Sequence, residues 1–383
     1  MDLKRKTFLA AIGDSNNSST WSGIPYFFLN EGKKHNLIDF GLNLDPNTYF
    51  HRICRVFWNI FRVLFFFERG GYQYSNFFLV NLWRPHLNRI KGGRVINCFQ
   101  LYPKALLDQK DIELYFFIDQ TLIQLFELYN VNTIIGKHII KSSLKLEKLG
   151  YERADKIFVH SNWCKESLVN DYLISENKIF VVQPGANIFP ETYLKFQNSS
   201  KSLMDKDGPL KLIFIGKEPV RKGLDRLLLA LKYAQNSGAS ITLRVIGCDK
   251  SELKLSDDML PEFVEWVGFL DKSKSFDEYF SLISECDLGC LLSKAEAGGI
   301  CLREFHALGL AVMYSEVGGS PEHVIGEASI GISANMSIEE IGETLIYYSN
   351  NREKINSLKV NSINNSSTML WSSTVSLIND IIN

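Results

Sequence analysis

The chain has 383 residues, 45% hydrophobic and 22% charged. That length exceeds one ordinary domain and suits two. A formal net charge of −1 argues against a dedicated nucleic-acid binder.

Thr7–Ile12 is a short apolar run ending at Gly13-Asp14, the pattern of a buried first strand. The polar loop Ser15–Ser22 follows. Ser22 is placed to cap a helix, with Gly23 next to it and Pro25 in the first turn, where its missing N–H costs little. Strand, loop and helix in this order open a nucleotide-type domain. Thr48–Glu68 is long, aromatic and arginine-bearing. Its aromatics are too dense for a one-sided stripe, which predicts a mostly buried helix; contact with a lipid-linked acceptor or a membrane surface is the competing reading. Asn76–Lys91 reads as one more helix, stopped at Gly92-Gly93, and Val95–Phe99 as a strand. Leu114–Ile118 is a buried strand whose C-terminal end presents Asp119. That residue either orients a substrate hydroxyl at the strand end or caps the helix Leu122–Tyr129. Lys156–His160 and Lys178–Gln183 are further strands, with a helix from Ser161 to about Asn170 between them.

Residues 188–209 are polar and turn-rich and read as a linker. Asp205-Lys206-Asp207 within it has the form of a DxD metal motif, but a turn before Gly208-Pro209 explains it better. The strand–loop–helix rhythm then restarts. Leu212–Ile215 is a strand, and Gly216–Gly223 is a loop carrying Lys217, Arg221 and Lys222. Leu224–Gln235 is a helix. Ile241–Ile246, Val264–Phe269 and Leu288–Leu292 are strands, with a helix Phe276–Cys286 before the last. Alternation of this kind predicts a parallel sheet with helices on both faces. Thr344–Leu358 and Ser366–Ile382 read as helices.

The stretch Ala295–Val312, AEAGGICLREFHALGLAV, organises the second half. Glu296 precedes Gly298 and Gly299. A helix from Ile300 to Leu308 follows, ended by Gly309, and Leu310–Met313 is a strand. A glycine turn feeding a helix leaves backbone N–H groups facing outward with the positive end of the helix dipole behind them, a ready phosphate site. Glu304 lies about a turn inside that helix.

Glu296 and Glu304 enclose seven residues, and Gly318-Gly319-Ser320-Pro321-Glu322 follows. This run resembles the donor-site signature of retaining, family-4-type glycosyltransferases (glycosyl transferases group 1). The resemblance implies a GT-B fold: an α/β chain of two Rossmann-like domains facing a cleft. It places an acceptor-side domain at 1–187, a linker at 188–209 and a nucleotide-sugar-binding domain at 210–364. Residues 365–383 would form a helix returning to the first domain, anchored by Trp371 and Leu377. It implies that Glu296 contacts the sugar, that Glu304 holds the ribose hydroxyls, and that Gly298, Gly299 and Ile300 face the diphosphate. Gly216, Lys217, Arg221 and Lys222 form the cationic loop that meets the same diphosphate. The usual arginine is replaced by Lys217, so bidentate phosphate contact falls to Arg221. Gly23 stands in a Thr20–Pro25 string where the resemblance places a glycine loop against the donor diphosphate, and Asp119 in an F-x-D-x-T string, of the same subgroup. The base edge is expected to meet backbone around Gly268–Leu270, with uracil ahead of guanine.

The expected activity is transfer of a sugar from a UDP- or GDP-sugar to a glycan or lipid-linked acceptor. Glu296, Asp119 and Lys222 are the catalytic candidates, and no metal ion or other cofactor is expected. A nucleotide-sugar epimerase and a non-catalytic binding module on the same scaffold are the alternatives. Residues 1–190 hold 23 Lys/Arg and 17 Asp/Glu, net +6; the remainder holds 19 and 26, net −7. A basic first half suits peripheral contact with an anionic surface, and scattered solvated lysines suit the same numbers. Seven dispersed cysteines with no CxxC pair indicate neither a zinc site nor a disulfide framework. With no 18-residue apolar stretch and an apolar run near the N-terminus too short for a signal peptide, a cytoplasmic, possibly membrane-peripheral place is expected.

Overall fold

Residues 5–200, 208–272 and 274–383 are described by a computed structural model. Chain contacts divide it into two units, Met1–Pro184 with Thr374–Asn383, and Gly185–Ser373. The first unit carries β1 (Thr7–Ala10), β2 (Gly13–Asp14), β3 (Phe40–Gly41), β4 (Asn43–Leu44), β5 (Arg94–Asn97), β6 (Glu113–Ile118), β7 (Lys156–Val159) and β8 (Ile179–Val181). Six of them form a sheet in the order β3-β1-β5-β6-β7-β8, with every neighbour parallel. The register sets Leu9 beside Ile96, Ile96 beside Tyr115 and Phe117 beside Phe158. Sheets of this kind are covered on both faces, so their strands are continuous apolar runs; Phe8, Phe116, Phe117 and Phe158 are all fully buried. β2 and β4 pair antiparallel in a separate short ladder.

Several expectations for this unit are corrected. The helix expected over Asn76–Lys91 is Asn76–Trp83, a 3-10 turn at Arg84–His86, and Leu87–Ile90. Pro85 lies at the break, where it lacks an N–H for the helix ladder. Ser22 does not cap the helix Ile24–Lys34; Gly23 does, at φ 90°, with Pro25 in the first turn. Asp119 does not cap the helix Leu122–Leu128 either. Thr121 does, in a reciprocal capping box with Gln124. The aromatic helix Tyr49–Phe66 is not buried: only His51 and Arg62 on it are, while Tyr49 is 80% and Phe57 67% exposed. The helix is where the aromatic run predicts it, but the side turned inward is the more polar one.

The second unit carries β9 (Leu210–Ile215), β10 (Ile241–Ile246), β11 (Val264–Gly268), β12 (Leu288–Leu291), β13 (Ala311–Ser315) and β14 (Ser329–Ile332). They form a parallel sheet in the order β11-β10-β9-β12-β13-β14. The strand order reverses its course between β9 and β12, the topological switch of a doubly wound fold. The stretch expected as a linker contains a helix, Pro190–Ser200, and Phe196 on it is buried in this unit's core with Ala186 and Ile188. Pro190 opens that helix, where proline is tolerated best. Asp205-Lys206-Asp207 lies outside the described residues.

The helix expected over Thr344–Leu358 starts earlier and is two helices, and the one expected from Ser366 starts later, at Trp371. Ser337 and Glu340 form a capping box for Ile338–Asn350, and Arg352–Asn365 follows. In the last helix, Trp371–Ile382, the indole N–H of Trp371 donates to Asn187 Oδ1 at 3.0 Å, both within the second unit. Residues 374–383 count with the first unit, where Thr374 Oγ1 donates to the Gln183 carbonyl at 2.8 Å. Val375 and Ile378 are buried there, whereas Leu377, expected as an anchor, is exposed.

Candidate functional site

The switch in the second sheet sets the C-terminal ends of β9 and β12 side by side, and the loops leaving them make the site. Gly216–Gly223 leaves β9, and Leu292–Gly299 leaves β12. One backbone bond and one side-chain bond tie them together. Lys294 N–H donates to the Arg221 carbonyl at 2.8 Å, and Arg221 Nη1 donates to the Ala295 carbonyl at 2.8 Å. Gly223 has φ 73°, and any Cβ there would strike the Leu292 carbonyl, so only glycine permits this approach.

Glu296 is the hub. Its Oε2 lies 3.6 Å from Lys222 Nζ and 3.5 Å from Arg221 Nη1, and it accepts from Ser293 Oγ at 3.2 Å. Arg221 is also held by Glu218, at 2.9 Å from Nε and 2.6 Å from Nη2. The stem of Lys222 lies on Gly216, where a Cβ would displace it. Burial alone would lower the Lys222 pKa; the Glu296 carboxylate beside it reverses this and raises it. The ammonium is therefore charged at neutral pH.

Glu296 leads into Gly298 and Gly299. Gly299 takes φ 81° and caps the helix Ile300–Ala307 with no side-chain partner, leaving the first-turn N–H groups at an electropositive helix start. Gly298 faces the ring of His323, which a Cβ would meet at 2.7 Å. Gly318, at φ 56°, is held against the Glu296 carbonyl, with no room for a Cβ. The glycine turn at 318–319 thus braces the backbone that presents Glu296.

Glu304 lies one turn inside the helix and is 1% exposed. It is paired with Lys272 and accepts from the Tyr279 hydroxyl at 2.8 Å. Burial lowers the pKa of Lys272, and Glu304 offsets part of that. Lys217 does not join the Glu296 cluster. Its Nζ lies 4.5 Å over the exposed ring of Phe269, just past β11. Gly216, Gly247 and Gly268 close the ends of β9, β10 and β11: Gly216 N–H donates to the Ile246 carbonyl at 2.9 Å and Gly247 N–H to the Gly268 carbonyl at 2.8 Å.

Within the second unit, then, Gly216, Arg221, Lys222, Glu296, Gly298, Gly299 and Ile300 are gathered at one switch point, Glu304 stands a turn deeper, and Lys217 lies to one side. Gly23 and Asp119 belong to the first unit. Trp21 and Ser22, preceding Gly23, hold positive φ of 42° and 56°, a conformation that side chains rarely adopt. Trp21 stacks on His160, ring centroids 6.0 Å apart. Asp119 follows β6 and is partly buried. Ser293, Lys272, Tyr279 and His323 were not anticipated as site residues. Ser293 sits three residues before Glu296 and could have been suspected; the others meet the site only through the fold.

Residues 195–365 match the family model described as glycosyl transferases group 1. An uncharacterized glycosyltransferase of Methanocaldococcus jannaschii is 23% identical over 326 residues, 81% of this chain and 86% of that protein. An uncharacterized 41.2 kDa protein in the cps region of Klebsiella pneumoniae is 26% identical over 220 residues, 56% of this chain and 58% of that one. Among solved structures, sucrose-phosphate synthase from Thermosynechococcus elongatus has a TM-score of 0.70 at 15% identity, covering 99% of this chain and 98% of that one. Anabaena HepE in complex with UDP and glucose has a TM-score of 0.61 at 14% identity, covering 99% of each. At these identities the structures establish the fold. Residues 195–365 are thus similar to the glycosyl transferases group 1 family, on a chain whose fold is that of the GT-B glycosyltransferases.

Proposed function

We propose that the protein moves a sugar, with retention of anomeric configuration, from a nucleoside diphosphate sugar to a hydroxyl of a glycan or lipid-linked acceptor. The observation that carries this is the meeting of Lys222, Arg221 and the Gly299-led helix start around Glu296 at the β9/β12 switch. When the bond between the anomeric carbon and the diphosphate breaks, negative charge grows on the departing phosphate. Fixed cations and backbone amides stabilise it most where water is excluded. Here the charge is met by side chains and amides rather than by a metal ion. The anomeric carbon bonds to the acceptor oxygen, and the acceptor proton passes to the departing phosphate on the same face. Glu296 positions the sugar hydroxyls, and Glu304 the ribose hydroxyls. UDP is favoured over GDP; HepE, which shares the fold, is known in complex with UDP and glucose.

The test is release of nucleoside diphosphate from a panel of UDP- and GDP-sugars, with and without candidate acceptors. The product's anomeric configuration is read by NMR. Glu296→Ala should abolish turnover and leave UDP affinity within roughly threefold, since the diphosphate-facing cations remain. Retained turnover in that variant would remove Glu296 from the site. Failure to bind any nucleotide sugar would sink the whole reading.

A further inference from the structure

The helix Tyr49–Phe66 is built inside out. The side chains facing the body of the first unit are polar or bear a polar edge, and each has a partner. His51 Nδ1 meets the Tyr72 hydroxyl at 3.1 Å. The Trp58 indole N–H donates to the Gly70 carbonyl at 2.9 Å. Asn59 Oδ1 accepts from Gly70 N–H at 3.0 Å, and Arg62 pairs with Glu68. Residues 51, 54, 58 and 62 fall on one stripe at helical spacing, and that stripe is the inward one.

The rest of the helix is apolar and faces out. Tyr49, Val56, Phe57, Leu64 and Phe65 are 57–80% exposed, and Phe67, just past the helix, is 92% exposed. Of the large apolar side chains exposed among the described residues, half lie between 49 and 67. A contiguous apolar face of this size is rare on a chain that meets only water. Its charge is one-signed: the helix holds Arg52, Arg55 and Arg62 and no acid. Arg52 and Arg55 are exposed and border the apolar arc on one side. At its far end the Phe66 ring lies 5.9 Å from that of His138. His138 lies in the first turn of the helix Lys137–Arg153, which adds exposed Lys137, Lys141 and Lys145. No helix of the described residues is long and apolar enough to cross a membrane.

We propose that residues 49–67 are a docking surface for an anionic lipid bilayer, lying in the membrane plane with the apolar arc among the acyl chains and the arginines at the headgroups. An apolar face, a cationic border and insufficient length to span are what an interfacial helix requires. The one-signed charge selects this occupant: a second copy of the same helix would bring arginine against arginine, while anionic headgroups neutralise them. This surface is independent of the sugar-transfer reading and is tested without turnover.

The experiment is co-sedimentation of the full chain with vesicles of phosphatidylcholine alone or with phosphatidylglycerol, at low and high salt. Binding should require the anionic lipid and weaken as salt rises. Phe57→Ser with Leu64→Ser should lower the partition coefficient at least about tenfold, since each side chain loses its apolar burial. Arg52→Glu with Arg55→Glu should lower it by a similar factor at low salt and much less at high salt. All four side chains are exposed, so the variants should melt as the parent does. Three results overturn the proposal. They are failure of the chain to pellet with anionic vesicles, apolar variants that pellet as the parent does, and a lipid-free dimer in sedimentation velocity that Phe57→Ser/Leu64→Ser dissolves.

Discussion

Lys222→Ala tests the site most directly. Lys222 Nζ lies 3.6 Å from Glu296 Oε2, with the side chains 18% and 10% exposed. At an effective dielectric near 20, two unit charges at that distance attract by about 5 kcal/mol before desolvation is counted. A diphosphate entering the same space meets an ammonium already dehydrated and already charged, because Glu296 raises its pKa against the burial that would lower it. The net worth of a charged hydrogen bond in such a place is about 1.5–3 kcal/mol. That corresponds to a loss of roughly 10- to 150-fold in UDP affinity. The fold should survive, because Glu296 keeps Arg221 at 3.5 Å and Ser293 at 3.2 Å. Calorimetric titration with UDP and with uridine separates the phosphate contribution from the base and ribose. UDP should weaken by the stated factor, and uridine should bind parent and variant alike. Unchanged UDP affinity, or an equal loss for uridine, would refute the assignment of Lys222 to the diphosphate.

Glu304→Gln removes one partner of a buried pair and leaves the Lys272 ammonium without its counter-charge. Such losses run to about 3–5 kcal/mol, read as a lower urea midpoint of the second unit, and adding Lys272→Met should recover part of it. A destabilisation under about 1 kcal/mol would show that the pair is not a structural support. In the first unit, Glu147 is fully buried and its pKa is pushed up to about 8 by desolvation, against hydrogen bonds from Tyr172, Tyr151 and the Leu122 N–H. Its folded pKa exceeds its unfolded value of 4.5. Its contribution is therefore complete below pH 4.5 and is lost as pH rises toward 8. Between pH 5.5 and 8.0 the parent should lose about 3 kcal/mol relative to Glu147→Gln in urea unfolding; an equal difference at both pH values would refute it.

The two sheets were legible because parallel strands buried on both faces are continuous apolar runs, and Ile241–Ile246 matches its strand residue for residue. β3 was missed because two residues make no run, and β14 because Ser329 and Gly331 dilute it. The helix start at Ile338 carried a readable signal, Ser337 three residues before Glu340. At the site, what is local in the chain was legible: Gly299 is needed at φ 81° to open the helix after Glu296. What depends on distant segments was not. Nothing near Glu304 in the sequence announces Lys272 or Tyr279, which meet it from 32 and 25 residues away. Lys217 illustrates the same limit. It is adjacent to Gly216 in the chain, yet its stem carries the charge out over Phe269 while Lys222 returns beneath the loop to Glu296.

The aromatic helix shows why the density of its aromatics misjudged burial. A helical repeat identifies two faces but not which one turns inward, and apolar faces usually do. Here four inward positions are fixed by directed bonds instead: His51 to Tyr72, Trp58 and Asn59 to Gly70, and Arg62 to Glu68. Hydrogen bonds of this kind each add only about 0.5–1.5 kcal/mol net, and with Cys54 and Trp58 packed on the core they hold the helix without its outward aromatics. Burying one such aromatic side chain is worth about 1.5–3 kcal/mol, and the fold leaves that gain unclaimed at Tyr49, Phe57 and Phe65. A chain that met water alone would gain by turning the helix over. That it is pinned with the apolar arc outward, beside Arg52 and Arg55, is what a surface of anionic lipid accounts for and a solvated core helix does not.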